Sequence, residues 1–420
     1  MKFKIYSSIF LLFITFQAYS AFLLIPMDEV NQQNHLKAYG ITYWALNKDY
    51  KASWLLNYRG GSFLLPDAPE IRKECQIRGV DFEPISESEM LQIVKEIESP
   101  SQNMEVVPLE KAPKIAVYSP PGKMPWDDAV TMVLTYAEIP FTTIYDTEVL
   151  SDQLLLYDWL HLHHEDFTGQ YGKFFGRYKN TPWYIEQKQE AEALATKLGF
   201  SKVSDAKLAV AKKIRDFVVG GGFMFAMCSA TDSFDIALAA DETDICEPMF
   251  DGDPSDLNYQ SKIDYRNTFA FKDFVLERDP NMYEFSDIDM TTKRQIQMEK
   301  DYFTLMEYSA KWDPIPTMLC QNHTQLVKGF MGQTTSFDTK LIKSNVLVMG
   351  ANQINGEARY VHGTKGKGMF TYFGGHDPED YQHLVGDAPT VLDLHPNSPG
   401  YRLILNNVLF PAAKKKKLKT

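Results

Sequence analysis

The chain reads as an α/β protein, a doubly wound and mostly parallel sheet with a smaller N-terminal α/β extension. Two observations predict this. From Lys114 onward, short apolar runs bounded by turn residues alternate with helix-length stretches, the pattern that builds parallel strands joined by crossover helices. The composition, 44% hydrophobic and 23% charged over 420 residues, belongs to a globular chain long enough for a large domain and an appended smaller one. A net charge of −12 and a pI near 5.3 argue against a nucleic-acid surface.

Taken in order, Met1–Lys4 is short and basic, Ile5–Phe16 is mostly apolar, and Ala18-Tyr19-Ser20-Ala21 offers the small residues of a cleavage site. Residues 1–20 therefore read as a secretory signal peptide, with a periplasmic or secreted mature chain beginning near Ala21. No later stretch is long enough for a transmembrane span. Residues 21–110 form the extension, with strands at Phe22–Pro26 and Trp54–Tyr58 and helices at Asn34–Asn47 and Glu87–Glu98. Ser99–Lys114, polar and proline-containing, reads as a linker.

Residues 111–413 carry the main domain. Its strands are expected at Lys114–Tyr118, Phe141–Tyr145, Tyr157–His163, Phe223–Met227, Asn345–Met349 and Gly368–Phe373. Its helices are expected at Trp126–Tyr136, Ile185–Leu198, Ala206–Phe217 and Arg402–Phe410. Residues 241–315, acidic and rich in aromatics, read as an insertion over the sheet edge, and 414–420 as a solvated basic tail. In an oxidising compartment Cys75, Cys228, Cys246 and Cys320 admit three full disulfide pairings. Cys246 with Cys320 is the first to consider, because it leaves Cys228 free, but spacing alone does not establish it. None of the four has the CxxC spacing of a zinc site.

Ligands of an open α/β sheet bind beyond the carboxyl ends of its strands, and three polar clusters fall there. The first closes the run FVVGGGFMFAMCSATDSFDIALAA, Phe217–Ala240. Cys228 stands on the turn between a buried strand and a helix opened by Ser229, with Asp232 three residues on as a capping box. Orphan N–H groups and the helix dipole there favour a thiolate. The second is Gly374-Gly375-His376-Asp377-Pro378-Glu379, which reads as a base beside carboxylates, or as a glycine turn with Asp377 capping a helix that starts at Pro378. The third is His161-Leu162-His163-His164-Glu165-Asp166. On a strand His161 and His163 share a side, and with Asp166 they suit Zn²⁺ or Fe²⁺, while His164 and Glu165 turn into the mouth of a pocket. Pocket lining and plain structural hydrogen bonding are the competing readings of this cluster.

Over roughly Lys114–Ala240 and Asn345–Pro411 the pattern resembles the class I glutamine amidotransferase-like superfamily. That resemblance implies a flavodoxin-like sheet with Cys228 as nucleophile, His376 as its base and Glu379, or Asp377, as the group orienting the imidazole. It also implies an oxyanion held by backbone N–H groups near Gly221 and Gly222 or at Ser229. Two departures stand out. Met227 and Ser229 flank the cysteine where the superfamily has glycines, and Asp377 is inserted in the histidine motif. The activity so implied is a cysteine-dependent amidase or hydrolase acting on a small amide. The alternative is a non-catalytic, envelope-associated module that uses the same pocket for a sugar, peptide or metal.

Cys228–Ser233 also resembles the SGGxDS loop of ATP pyrophosphatases, as in an asparagine synthetase B-like ligase. Ser229 and Ala230 put Cβ atoms where that loop brings backbone against phosphate, and an exported chain would lack ATP. Asp251–Asp256 begins like a calcium loop, but Lys262 stands where a bidentate glutamate belongs, so a solvated acidic loop is the better reading. Trp126, Trp159, Trp183, Tyr171, Phe174 and Phe175 would line a groove for a sugar or peptide, or pack as core.

Overall fold

The computed structural model describes residues 21–122, 127–294, 296–382 and 384–413. Residues 1–20, expected as a signal peptide, residues 414–420, expected as a basic tail, and Trp126 lie outside them.

The N-terminal unit is an antiparallel sheet of β1 (Phe22–Ile25), β2 (Ala52–Leu56), β3 (Ser62–Pro66), β4 (Glu83–Ile85) and β5 (Glu105–Leu109), in the order β4-β1-β3-β2-β5. The helix Glu87–Glu98 opens on a capping box between Ser86 and Glu89. The stretch expected as a linker supplies β5. Its Pro108 is tolerated because β5 is an edge strand. The extension is not an independent core. Trp54, Phe63 and Tyr39 pack in one apolar cluster with Val117, Phe225 and the helix Pro399–Leu409. Arg402 of that helix donates from Nη1 to the Met27 carbonyl at 3.1 Å.

The second sheet has ten strands: β6 (Ile115–Tyr118), β7 (Thr142–Ile144), β8 (Trp159–Leu162), β9 (Phe223–Met227), β10 (Tyr302–Leu305), β11 (Leu326–Lys328), β12 (Phe337–Asp338), β13 (Leu347–Asn352), β14 (Glu357–Lys365) and β15 (Gly368–Phe373). Their order is β11-β10-β13-β14-β15-β9-β8-β6-β7, with β12 beside β14. The run β15-β9-β8-β6-β7 is parallel and the other pairings are antiparallel, so the fold is α/β with a mixed sheet rather than a mostly parallel one. The physical reason lies in the connections. A tight turn at Gly366, φ +63°, returns β14 directly into β15, and no crossover helix intervenes. The segment 241–315 does more than cover an edge, because it contributes β10 to the sheet.

Along β9 the side chains alternate between the two faces of the sheet. Phe225 and Met227 join the core under the helices Ala129–Tyr136 and Pro399–Leu409. Met224 and Ala226 join the core under Val203–Gly220 and Asp232–Ala239. All four cysteines are free thiols. Cys246 is buried with Phe250 and Tyr171 and donates to the Thr168 carbonyl, which removes the expected bond to Cys320. Among the described residues no helix is long and apolar enough to cross a membrane.

Candidate active site

Because β8, β9 and β15 are neighbouring parallel strands, the residues that follow them emerge together at one edge of the sheet. These are His163 and His164 after β8, Cys228 after β9 and His376 after β15. Cys228 has φ +54°, a left-handed conformation that costs a non-glycine residue about 1–2 kcal/mol. Met227 before it is extended, and neither it nor Ser229 has positive φ, so the turn concentrates its strain on the cysteine and needs no flanking glycine. The Ala230 N–H donates to the His163 carbonyl at 2.9 Å and ties the turn to the end of β8. Thr231 donates from Oγ1 to the Cys228 carbonyl at 2.7 Å.

The expected cap from Ser229 does not form. Its hydroxyl is buried without a hydrogen-bond partner among the described residues, and the short turn Cys228–Ala230 separates it from the helix that starts at Asp232. The Cys228 thiol donates to the Gln333 carbonyl at 3.0 Å. Burial pushes the thiol up to about 12, against the pull of its backbone hydrogen bonds with Ser229 and Gln333. At neutral pH the free protein therefore holds a protonated thiol.

A cavity of about 700 Å³ opens over this turn, lined among others by Cys228, His164, His376, Gln333, Lys173 and Arg177. His376 is delivered by glycines that the packing requires. A Cβ on Gly374 would lie 2.3 Å from the Thr335 carbonyl, and Gly375 has φ +103°. The His376 N–H donates to the Met331 carbonyl at 2.9 Å. Its ring centroid lies 4.2 Å from that of His163 and 5.5 Å from that of His164.

The other expected site residues are placed differently. Glu379 is spent on His395, with Oε2 3.2 Å from Nδ1, and Asp377 accepts from the Tyr401 hydroxyl at 2.8 Å. Gly221 and Gly222 close the helix Val203–Gly220 through N–H bonds to Val218 and Phe217. They precede β9 whereas Cys228 follows it, about 20 Å away at 3.3 Å per residue, so they hold no oxyanion at this cysteine. Gly222 lacks a Cβ because one would meet the Phe217 ring at 2.3 Å.

Glu165 turns to a buried group formed by Lys207, Asp146 and Tyr145, and burial pushes its carboxyl up to about 7 against Lys207. Asp166 is no metal ligand. Its oxygens accept from the Thr168 N–H and hydroxyl and from the Gly172 N–H, at 2.6–3.0 Å. Asp128 takes its place beside the histidines. One oxygen caps the helix Ala129–Tyr136 through the Thr131 N–H, at 2.8 Å, and the other lies 3.2 Å from both His161 and His163. The two imidazoles outweigh burial and hold the Asp128 carboxyl far below its ordinary value, while burial holds His161 below its own. The local spacing around His161 contains no trace of Asp128. Its signal is that of a helix cap, 33 residues away.

The acidic loop is already served by a cation from the protein, since Lys202 Nζ lies 2.6–3.0 Å from Asp244, Asp251 and Asp253. Tyr171, Phe174, Phe175 and Trp183 form a small apolar cluster over it, and Trp159 belongs to the main core. Of these aromatics Phe174 reaches the cavity.

No protein-family description matches the chain, and no curated protein matches it. Among solved structures it is similar to the cytoplasmic protein STM3548 from Salmonella typhimurium, at 12% identity and a TM-score of 0.35. It is also similar to the cytoplasmic protein STM1381 from Salmonella typhimurium LT2, at 13% identity and a TM-score of 0.33. Each comparison spans 72% of this chain and 100% of the other. Likenesses of this size carry no argument about function.

Proposed function

We propose that this chain is an exported cysteine hydrolase of amidotransferase-like form, acting on a small amide in the cavity above Cys228. The observation that carries the reading is the left-handed cysteine on a strand-to-helix turn, lining a cavity that His376 also lines. The strand order supports the flavodoxin-like part. In chain order β6, β7, β8, β9 and β15 are the first to fifth parallel strands, and across the sheet they stand 2-1-3-4-5. Export rests on the sequence of residues 1–20.

In this reading substrate entry displaces the thiol from the Gln333 carbonyl. The thiol proton passes to His376 as sulfur attacks the amide carbon, and His376 returns that proton to nitrogen as the C–N bond breaks. Ammonia leaves a thioester on Cys228. Water then attacks it with His376 as base, and the sulfur departs as thiol. The Ser229 N–H, next along the chain, would serve as the backbone donor for the developing oxyanion.

A second reading, a non-catalytic binding pocket, draws on the thiol's displacement to about 12 and on the engagement of Glu379 with His395. Ammonia release from a panel of small primary amides separates the two, combined with the mass of acid-quenched protein. Release that is abolished in Cys228→Ala, with a thioester on Cys228 of the wild type, supports the hydrolase. No release from any amide, or release that Cys228→Ala leaves unchanged, overturns it in favour of the binding pocket.

A further inference from the structure

We propose that His163, His164 and His376 form a three-nitrogen site for a divalent ion of the zinc class, with His164 and His376 lining the cavity, His163 buried behind them and Asp128 fixing His163 in turn. One ring nitrogen from each histidine lies within 4.8 Å of the others. Tetrahedral zinc with bonds of 2.0–2.1 Å asks for nitrogens about 3.3 Å apart, so modest rotation of the half-buried His164 closes the set. Three imidazoles suit Zn²⁺, Cu²⁺ or Ni²⁺ and leave a fourth position open toward the cavity.

The supporting shell singles out this trio. His163 is buried, its Nδ1 lies 3.2 Å from Asp128 Oδ2, and its Nε2 has no hydrogen-bond partner among the described residues. A carboxylate behind one imidazole nitrogen, with the other nitrogen left over, is the arrangement that orients histidines on metals. Backbone bonds hold the trio's carriers. The His163 carbonyl accepts from Ala230, and the His376 N–H donates to Met331. Gly332, φ +141°, lets its loop lie against His376, where a Cβ would come within 2.8 Å.

The neighbouring set Asp128, His161 and His163 is equally compact but already engaged. His161 is wholly buried, with one ring nitrogen 3.3 Å from the Phe225 carbonyl and the other 3.2 Å from Asp128, so neither is left for an ion.

Metal binding stands apart from the hydrolase reading, but one consequence rests on it. An ion here occupies the lone pair that His376 needs as a base, so the metal-loaded and cysteine-active states exclude each other. Zinc titration of the metal-free full chain by calorimetry tests the site, with Co²⁺ absorption reporting the coordination. One equivalent should bind with micromolar or tighter affinity, and Co²⁺ should give the intense visible bands of a tetrahedral centre. His164→Ala, in the most exposed of the three positions, should weaken binding at least 100-fold, and Asp128→Asn by 10–100-fold. Cys228→Ala should bind within a few-fold of the wild type while losing any hydrolysis, which keeps the two readings separable. Circular dichroism and a thermal melt confirm that each variant folds. No binding below about 100 μM zinc, or binding that a folded His164→Ala retains, overturns the site.

Discussion

The strain at Cys228 predicts that the usual cost of glycine is cancelled there. Compare Cys228→Ala with Cys228→Gly, so that the thiol and its bond to Gln333 are absent from both. At an ordinary buried position, replacing alanine with glycine removes a packed methyl, about 0.8 kcal/mol, and frees the unfolded chain, about 0.7 kcal/mol. The expected loss is about 1.5 kcal/mol. At Cys228, only 3% exposed, the same terms apply, but the left-handed φ of +54° returns about 1–2 kcal/mol once the Cβ is gone. The two variants should therefore unfold at nearly the same denaturant concentration. Ala230, fully buried two residues on and without positive φ, is the internal control, and Ala230→Gly should cost the full 1.5 kcal/mol or more. Urea unfolding of the full chain, followed by far-UV circular dichroism, reads both pairs. A glycine penalty at position 228 as large as that at Ala230 would refute the strained turn, and with it the main support for a nucleophile.

Two further expectations concern buried charge. Burial pushes the Asp289 carboxyl up to about 6, against hydrogen bonds from Thr291. Its protonated form is thus favoured in the folded state, and the stability it contributes is present below pH 4 and lost as pH rises through 6. At 1.36 kcal/mol per unit the full loss is about 3 kcal/mol, of which about 2 kcal/mol falls between pH 4 and pH 7. The gap between the wild type and Asp289→Asn should therefore change by about 2 kcal/mol between urea midpoints at those two pH values, and a constant gap would contradict the shift. Lys207 is buried against the Tyr118 and Tyr145 hydroxyls, both at 2.9 Å, and Asp146 at 3.1 Å. Lys207→Met should destabilise by about 3–5 kcal/mol by stranding that carboxylate, and adding Asp146→Asn should recover most of it in the same assay.

What the sequence makes legible follows the range of the interactions. The limits of β9 and β15 could be read to the residue, because short apolar runs end at glycine and at a polar turn. β5 was hidden by Pro108, which only its edge position permits. β14, EARYVHGTK, mixes polar and apolar residues yet is buried along most of its length. Its Arg359 and Glu357 are matched by Arg294 and Asp301, more than 50 residues earlier, and no local pattern announces such a strand. The site divides in the same way. Cys228, His376 and the histidines after β8 declare themselves at strand ends, whereas Asp128 and Gln333 are brought to them by chain packing.

The glycines that the superfamily places beside its cysteine are absent here, and the backbone shows what their absence means. Within this turn the positive φ falls on Cys228, between an extended Met227 and the short turn that leads to Asp232. A residue required only by this turn would be glycine, which adopts φ +54° freely, or asparagine, which tolerates it. Cysteine gains nothing from the conformation and loses about 1–2 kcal/mol to it. Its thiol donates to the Gln333 carbonyl, and Cys228 is one of the residues that line the cavity. Backbone hydrogen bonds with Ser229 and Gln333, about 1 kcal/mol each, are of the same size as that strain. In the proposed reading this conformation is kept because it sets Cys228 in the lining of the cavity together with His376, which is why the chemistry is sought there.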